Sequence, residues 1–168
     1  MDEGLLVVRV AMGLLMAAHG AQKLFGWFGG YGLDGTGGFF EGLGFKPGRF
    51  FAAAAGGSEV ASGLLLAVGL FTPLAAAVML SVMIVAAVSV HVQHGLFATT
   101  NGIEVPLLYA IGAVALALTG PGAYSLDAAT GLSALWTPSV VAGSLALGII
   151  GAVGNLALRR QNPQAVVA

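Results

Sequence analysis

A few ionisable residues of this chain lie inside apolar stretches, and their spacing favours proton exchange. Glu59 lies within a long apolar run that begins after Arg49 and ends near Phe71. A carboxylate at that depth in a membrane costs on the order of several kcal/mol, so it must face a protein interior and find a partner. His19 and Lys23 are four residues apart on one helix face, and either can pair with Glu59 from the next helix. We therefore expect His19, Lys23 and Glu59 to form a catalytic centre.

Other side chains converge on the same half of the membrane because consecutive spans alternate in direction. His91 and His94, three residues apart, lie near the end of the third span, and Tyr109 lies five residues after Glu104 on the fourth. The residues expected to bind a ligand are Trp27, Arg49, His91, His94, Glu104 and Tyr109. The alternatives are a structural bridge for Glu59 and a plain position at the membrane boundary for the two histidines.

The composition requires membrane helices to position these residues. Of the 168 residues 58% are hydrophobic and 8% are charged, which is typical of an integral membrane protein. The six lysines and arginines form no basic patch for phosphates, which argues against nucleic-acid binding. The sequence contains no cysteine, so any thiol chemistry must come from a partner. No metal site is expected.

Five apolar runs approach the roughly 20 residues that a helix needs to cross the hydrocarbon core. They comprise residues 5–28, 50–71, 73–93, 103–118 and 138–158. The glycine-rich and aromatic segment 29–46 is not plainly a span, and we expect it to lie at the membrane interface. A flexible loop is the alternative for this segment.

Several motifs together resemble the DoxX family. The residues 19–30 read HGAQKLFGWFGG, which resembles the first-helix signature of that family. The motifs GSEV, GLFTP, HG and GPGAYSLD follow in the family's order, so the resemblance extends over roughly residues 5–130. It implies a four-helix integral membrane bundle. The family name is tied to membrane subunits of a thiosulfate:quinone oxidoreductase, and some members are linked to complexes that handle thiol or oxidative stress.

The chain departs from the four-helix pattern after Asp127, which we expect to organise the turn after the fourth span. We divide the chain into a DoxX-like membrane domain, residues 1–130, and a C-terminal extension, residues 131–168, with one further span and a short polar tail. Ser144, Gly148 and Ala152 recur every four residues in that span, which permits close helix packing. The expected fold is thus an all-α, four-helix transmembrane bundle with a fifth, C-terminal transmembrane helix.

Three functions are compatible with these residues. The resemblance implies a membrane subunit of a redox complex that binds a quinone-like molecule, with His19 or Lys23 bonded to a carbonyl oxygen and Glu59 exchanging protons. No covalently bound cofactor is expected, and a haem held by two histidines such as His19 and His91 is a weaker alternative. A non-enzymatic membrane anchor or assembly factor for a thiol or oxidative-stress complex is the second hypothesis. A small proton-coupled transporter is the third, and the oligomeric state is left open.

The basic residues predict an orientation for the five spans. One side carries Lys23, Lys46, Arg49, Arg159 and Arg160, whereas Arg9 alone lies near the other. Because cytoplasmic loops carry an excess of lysine and arginine, we expect the N-terminus outside and the C-terminus in the cytoplasm. The expected location is a prokaryotic plasma membrane, with a protein partner in the same membrane complex.

Overall fold

The computed structural model describes residues 1–160, and every regular element within them is helical. The α-helices of this range are α1 (Asp2–Phe25), α2 (Gly32–Gly42), α3 (Gly48–Val68), α4 (Thr72–His94), α5 (Glu104–Thr119), α6 (Leu126–Ala129) and α7 (Pro138–Ala157). Helix α4 is α-helical over Thr72–Ala86 and continues as a π-helical turn, Ala87–His91, and a 3-10 turn, Val92–His94. The polar tail predicted after Arg160 lies outside the described residues.

Four helices, α1, α3, α4 and α7, are long and apolar enough to cross a membrane. Helix α5 is apolar as well but has 16 residues. Its last residue is followed by Gly120, which has a φ of 79°, and by Pro121, a residue that cannot continue a helix. The prediction of an all-α membrane bundle with an additional C-terminal helix is confirmed.

Glycines bring α1 and α3 into backbone contact. Gly13 and Gly20 of α1 face Gly63 and Gly56 of α3, respectively. A Cβ atom at Gly13 would meet the carbonyl oxygen of Gly63, and one at Gly20 would meet the carbonyl oxygen of Gly56. Small residues at such positions allow the close approach by which membrane helices pack. This contact fixes the register of the antiparallel pair α1 and α3.

Helix α4 packs against α3, α5 and α7, and its Met79 is fully buried. The small residues Ser144, Gly148 and Ala152 form the buried face of α7. Gly148 lies against the backbone of Ala77 in α4. The repeat of small residues therefore mediates the packing of α7 on α4, as its spacing predicts.

The glycine-rich segment between α1 and α3 contains α2, which packs on both neighbours. Its eleven residues are too few to cross a membrane, and the exposed rings of Tyr31 and Phe39 suit a membrane interface. The Glu41 carboxylate accepts a hydrogen bond of 3.0 Å from the N–H of Gly48 at the start of α3. The alternative of a flexible loop is wrong for residues 32–42.

Two buried charges hold the α3–α4 hairpin at the end of the bundle opposite α2. Asp127 is fully buried and accepts hydrogen bonds of 2.8 and 3.0 Å from backbone N–H groups at the start of α4. Arg9 donates to the carbonyl oxygen of Tyr124 at 2.5 Å, and its Nη1 lies beside Gly69 at the C-terminal end of α3. Both charges complement the dipole of the helix end that they face. The side chain of Asp127 thus organises the start of α4, whereas the turn that contains Asp127 is capped by Ser125, whose hydroxyl accepts a hydrogen bond of 3.1 Å from the N–H of Ala128.

Candidate functional site

A buried ion pair joins α1 to α3. Lys23 Nζ lies 2.8 and 2.6 Å from the two carboxylate oxygens of Glu59 and donates a hydrogen bond to each. The side chain of Glu59 is 3% exposed and that of Lys23 is 27% exposed. Charge-assisted hydrogen bonds of this length are strong, but the lost hydration of both ions offsets much of their energy. The structure shows the predicted pairing of Glu59 with a basic residue of the neighbouring helix.

The directions of helical side chains explain why Lys23 and Glu59 meet. A side chain tilts toward the N-terminus of its helix, and α1 and α3 run antiparallel. Lys23, near the end of α1, therefore leans into the bundle, and Glu59 leans back toward the start of α3. Glu59 lies eleven residues after Gly48, or about 16 Å along the helix. The ion pair therefore lies inside the span rather than at its end.

A cavity of about 560 Å³ opens beside this pair. Its walls come from α2, α3, α4 and α7, with Lys23 contributed by α1. Most of the lining is apolar, and its aromatic rings are those of Phe39, Phe40, Phe45 and Phe51. Small-molecule pockets typically measure about 300–1,000 Å³ and combine an apolar lining with a few polar groups. The cavity has both properties.

Serines from three helices line the cavity, namely Ser58, Ser81, Ser89 and Ser144. The Ser144 hydroxyl donates to the carbonyl oxygen of Val140 on its own helix at 2.8 Å. Ser89 is 5% exposed, and its hydroxyl has no hydrogen-bond partner among residues 1–160. It lies in the π-helical turn of α4, and such turns occur frequently at functional sites. Ser89 was not among the residues predicted from the sequence.

The two predicted histidines of α4 have different surroundings. His91 lines the cavity, whereas His94 is exposed and lies outside it. Nδ1 of His91 lies 2.8 Å from the carbonyl oxygen of Asn101, and Nδ1 of His94 lies 2.8 Å from that of Val90. A carbonyl oxygen can only accept, so Nδ1 is the donor in each ring. In its neutral form His91 therefore has Nε2 as a hydrogen-bond acceptor.

His19 and Tyr109 pack against each other between α1 and α5. Their rings meet edge to face with centroids 5.9 Å apart. Both side chains are partly buried, and Glu59 is within electrostatic range of each. Neither residue lines the cavity. The structure thus places these two predicted residues near the ion pair but outside the cavity.

Trp27, Arg49 and Glu104, which were also predicted to bind a ligand, do not line the cavity. Trp27 is 59% exposed, which suits an aromatic ring at the membrane interface. Arg49 forms an ion pair of 3.1 Å with Asp34, in which both side chains are exposed. Glu104 accepts a hydrogen bond of 2.7 Å from the N–H of Ala98. A role in ligand binding stays an untested prediction for all three.

The C-terminal helix α7 forms one wall of the cavity, a role that was not predicted from the sequence. Its lining residues are Ser144, Leu147, Gly148, Gly151 and Asn155. After α7, Arg159 Nε donates to the carbonyl oxygen of Leu43 at 2.5 Å. The N–H of Arg160 donates to the carbonyl oxygen of Gly44 at 2.9 Å. These two bonds attach the end of α7 to the link between α2 and α3.

Comparison with known proteins agrees with this architecture. A sequence model of the DoxX family matches residues 4–92, a little over half of the chain. No curated protein and no solved structure shows a significant match. The matched residues include both members of the ion pair, Lys23 and Glu59, and also Ser89. The chain is a multi-pass membrane protein, and it belongs to the DoxX family.

Proposed function

We propose that this protein is the membrane subunit of a redox complex and binds a quinone-like lipophilic molecule beside Lys23 and Glu59. The observation that carries the proposal is a buried ion pair in the wall of an apolar cavity between membrane-spanning helices. Ionisable residues inside membrane segments are energetically costly and generally serve a function. An apolar cavity with a few polar groups suits a ring that carries a few oxygen atoms.

Lys23 and Glu59 offer complementary chemistry to such a ligand. Lys23 Nζ carries three hydrogen atoms and directs two hydrogen bonds to Glu59, so the third hydrogen can bond a carbonyl oxygen in the cavity. A bound quinone would supply an acceptor for two electrons and two protons, with the electrons delivered by a redox protein of the same complex. Glu59 holds a proton beside the ligand oxygen or releases it.

His19 extends this site toward α5. It lies on the same face of α1 as Lys23, packs against Tyr109 and is within electrostatic range of Glu59. We assign to His19 the exchange of protons with Glu59 from the side of α1. The weaker haem alternative, with His19 and His91 as ligands, predicts a coloured protein after purification and is tested by its visible absorption spectrum.

Ligand binding in lipid nanodiscs tests the proposed site. Ala55 of α3 lines the cavity and is partly buried, so a phenylalanine at this position fills part of the space. Ile111 of α5 is 57% exposed and lies outside the cavity, which makes Ile111→Phe a matched control. We expect wild type and Ile111→Phe to bind a short-chain quinone equally, and Ala55→Phe to bind it about tenfold more weakly or worse. Equal binding by all three proteins, or no saturable binding by folded wild type, contradicts the proposal.

A membrane anchor or assembly factor is the second candidate, and Glu59→Gln separates it from the first. The amide keeps the size of the side chain and its hydrogen-bonding ability but cannot exchange a proton. For a redox subunit, the variant should be expressed and bind its partner but lose activity. For an anchor, the complex should keep its activity as well.

A small proton-coupled transporter is the third candidate and has the weakest support. Gly56 and Gly57 precede Glu59, and a break at these glycines would give α3 the interrupted form that many transporter sites show. Helix α3 is instead continuous over Gly48–Val68. A substrate-dependent pH change in sealed vesicles would favour transport over the redox role.

A further inference from the structure

The cavity continues past the ion pair toward the start of α4. Glu59 lies nine residues before the end of α3 at Val68, and Ser81 lies nine residues after the start of α4 at Thr72. Because α3 and α4 form an antiparallel hairpin, Glu59 and Ser81 lie at about the same depth in the membrane. Glu59 is the last residue that α3 contributes to the lining, whereas the lining residues of α4 begin at Leu74. Leu74 precedes Ser81 by seven residues, so the cavity extends about 10 Å beyond the ion pair.

The C-terminal helix supplies the second wall of this part of the cavity. Gly148 of α7 lies against Ala77 of α4. Further along, a Cβ atom at Gly151 would lie 3.4 Å from the hydroxyl oxygen of Ser81, so the two helices run parallel. The lining residues of α7 that precede Gly151 therefore lie beside those of α4 that precede Ser81. We name this part of the cavity the α4–α7 groove, and its lining residues are Leu74, Ala77, Val78, Ser144, Leu147 and Gly148.

The α4–α7 groove is apolar and open to the bilayer. Leu74, Val78 and Leu147 line it and are nevertheless 46%, 41% and 66% exposed. All three lie within membrane-spanning helices, where the surroundings are hydrocarbon. The hydroxyl of Ser144 already donates to the carbonyl oxygen of Val140 on its own helix. The groove therefore suits a hydrocarbon chain rather than a polar group.

The opposite end of the cavity, at α2, is more enclosed. Phe45 and Phe51 line this end and are 3% and 9% exposed. Arg159 attaches the end of α7 to the carbonyl oxygen of Leu43, which also lines the cavity. A ligand whose polar ring lies beside the ion pair thus has an open route to the lipid through the α4–α7 groove.

We infer that the ligand enters the cavity laterally from the bilayer and that its alkyl or isoprenoid chain lies in the α4–α7 groove, with the polar ring beside Lys23 and Glu59. Lipid tails are as apolar as the groove, so the chain gains little energy when it exchanges one for the other. The groove instead determines the direction in which the chain leaves the ring. This inference rests on the proposed function and adds a separate site for the chain and a route of entry.

Paired valine variants test the chain site. Val78 and Val88 both lie on α4 and are 41% and 48% exposed, but Val78 lines the cavity and Val88 does not. Val78→Trp fills part of the groove, and Val88→Trp is the matched control. The probes are a short-chain quinone and the same ring with a decyl chain, each titrated against protein in nanodiscs. We expect Val78→Trp to weaken binding of the decyl quinone about tenfold and to leave binding of the short-chain quinone unchanged. Val88→Trp should change neither affinity.

The short-chain quinone also reports whether each variant is folded. Equal weakening of both probes by Val78→Trp, or no effect on either, overturns the chain site. In both cases the proposed function still stands if Ala55→Phe blocks the short-chain quinone. A wild-type protein that binds neither quinone overturns the proposed function itself.

A photoreactive diazirine at the end of the decyl chain locates the chain in the wild-type protein. We expect mass spectrometry to find labels on Leu74, Val78 or Leu147, suppressed by excess unlabelled decyl quinone but not by a fatty acid of the same length. Labels on the exposed face of α1 around Leu14 would overturn the inference. Equal suppression by the fatty acid would also overturn it, because the groove would then hold any membrane lipid.

Discussion

Glu59 and Lys23 share an ion pair but differ in their surroundings. The carboxylate is almost fully enclosed, whereas about a quarter of the lysine side chain is exposed. An ammonium on a long flexible stem can turn toward the headgroup region when its partner is removed. The shorter side chain of Glu59 is 3% exposed and cannot turn toward the headgroup region in this way. The two halves of the pair should therefore respond differently to mutation.

Lys23→Ala should destabilise the fold more than Glu59→Ala. Removal of the lysine leaves an enclosed carboxyl group without its cation, which costs about 3 kcal/mol. Removal of the glutamate leaves a lysine that can reorient, and we expect a loss nearer to about 1 kcal/mol. Unfolding in detergent micelles, followed by circular dichroism, shows which of the two variants loses more stability. Equal losses or the reverse order would show that Lys23 is as enclosed as its partner.

At the level of single residues the sequence predicts the ion pair better than the rest of the cavity. Depth along adjacent antiparallel helices places Glu59 beside α1, but His19 and Lys23 share that face, and the sequence cannot choose between them. The longer side chain of Lys23 makes the contact. Ser89 was not predicted because its hydroxyl, which has no hydrogen-bond partner within residues 1–160, lies in a π-helical turn, and such a turn leaves no simple pattern in the sequence.

At the level of elements, glycines determine how closely α1 approaches α3. Gly56 and Gly57 are adjacent in α3, yet the two glycines have different roles. Gly56 packs against Leu24 of α1, whereas a Cβ at Gly57 would have nothing within 4 Å. A single sequence does not show which face of the helix meets its neighbour. The register of the helix pair decides which glycine is needed.

Gly63→Ala and Gly57→Ala should have opposite effects on stability. A Cβ at Gly63 would lie 2.5 Å from the carbonyl oxygen of Gly13, so the helices must separate at a cost of about 1–3 kcal/mol. The same change at Gly57 meets no atom and should stabilise α3 by about 0.5–1 kcal/mol. Thermal unfolding of the two variants in micelles shows whether each substitution lowers or raises the stability of the protein. A neutral Gly63→Ala would contradict the close packing of α1 and α3.

The buried Asp127 should matter far more than an exposed aspartate. Asp127→Ala removes the acceptor for two N–H groups at the start of α4 and leaves Arg9 enclosed, at a cost of about 2 kcal/mol or more. Asp34 pairs with Arg49 at the surface, and Asp34→Ala should cost less than about 1 kcal/mol. Chemical denaturation compares the two variants. A small effect at Asp127 would mean that the α3–α4 hairpin does not need this charge.

At the level of the whole molecule, α7 completes the cavity that α2, α3 and α4 form. Its small residues were predicted to permit packing, but the sequence did not indicate the partner helix. Helix α7 packs on α4 and closes one side of the cavity. The type and approximate extent of each membrane helix followed from hydrophobicity, whereas the cavity arises where α7, distant in the sequence, packs beside the consecutive helices α2, α3 and α4.

Displacement of α7 should open the cavity and weaken ligand binding. Gly148 lies against the backbone of Ala77, so Gly148→Leu forces α7 away from α4. Gly154 lies on the same helix, and a Cβ atom there would meet nothing within 4 Å, so Gly154→Leu is the matched control. In nanodiscs we expect Gly148→Leu to bind a short-chain quinone about tenfold more weakly and Gly154→Leu to bind like wild type. Unchanged binding by Gly148→Leu would show that α7 is not part of the site.

Photo-crosslinking with an azido-quinone, followed by mass spectrometry of the peptides, tests most directly whether the ligand lies beside the buried ion pair. The lining of the cavity predicts labels on α3 near Ser58 and on α4 near Ser89, both suppressed by excess unlabelled quinone. Labels spread over the exposed face of α5 around Ile111, or labels on α3 and α4 that excess quinone does not suppress, would contradict the account.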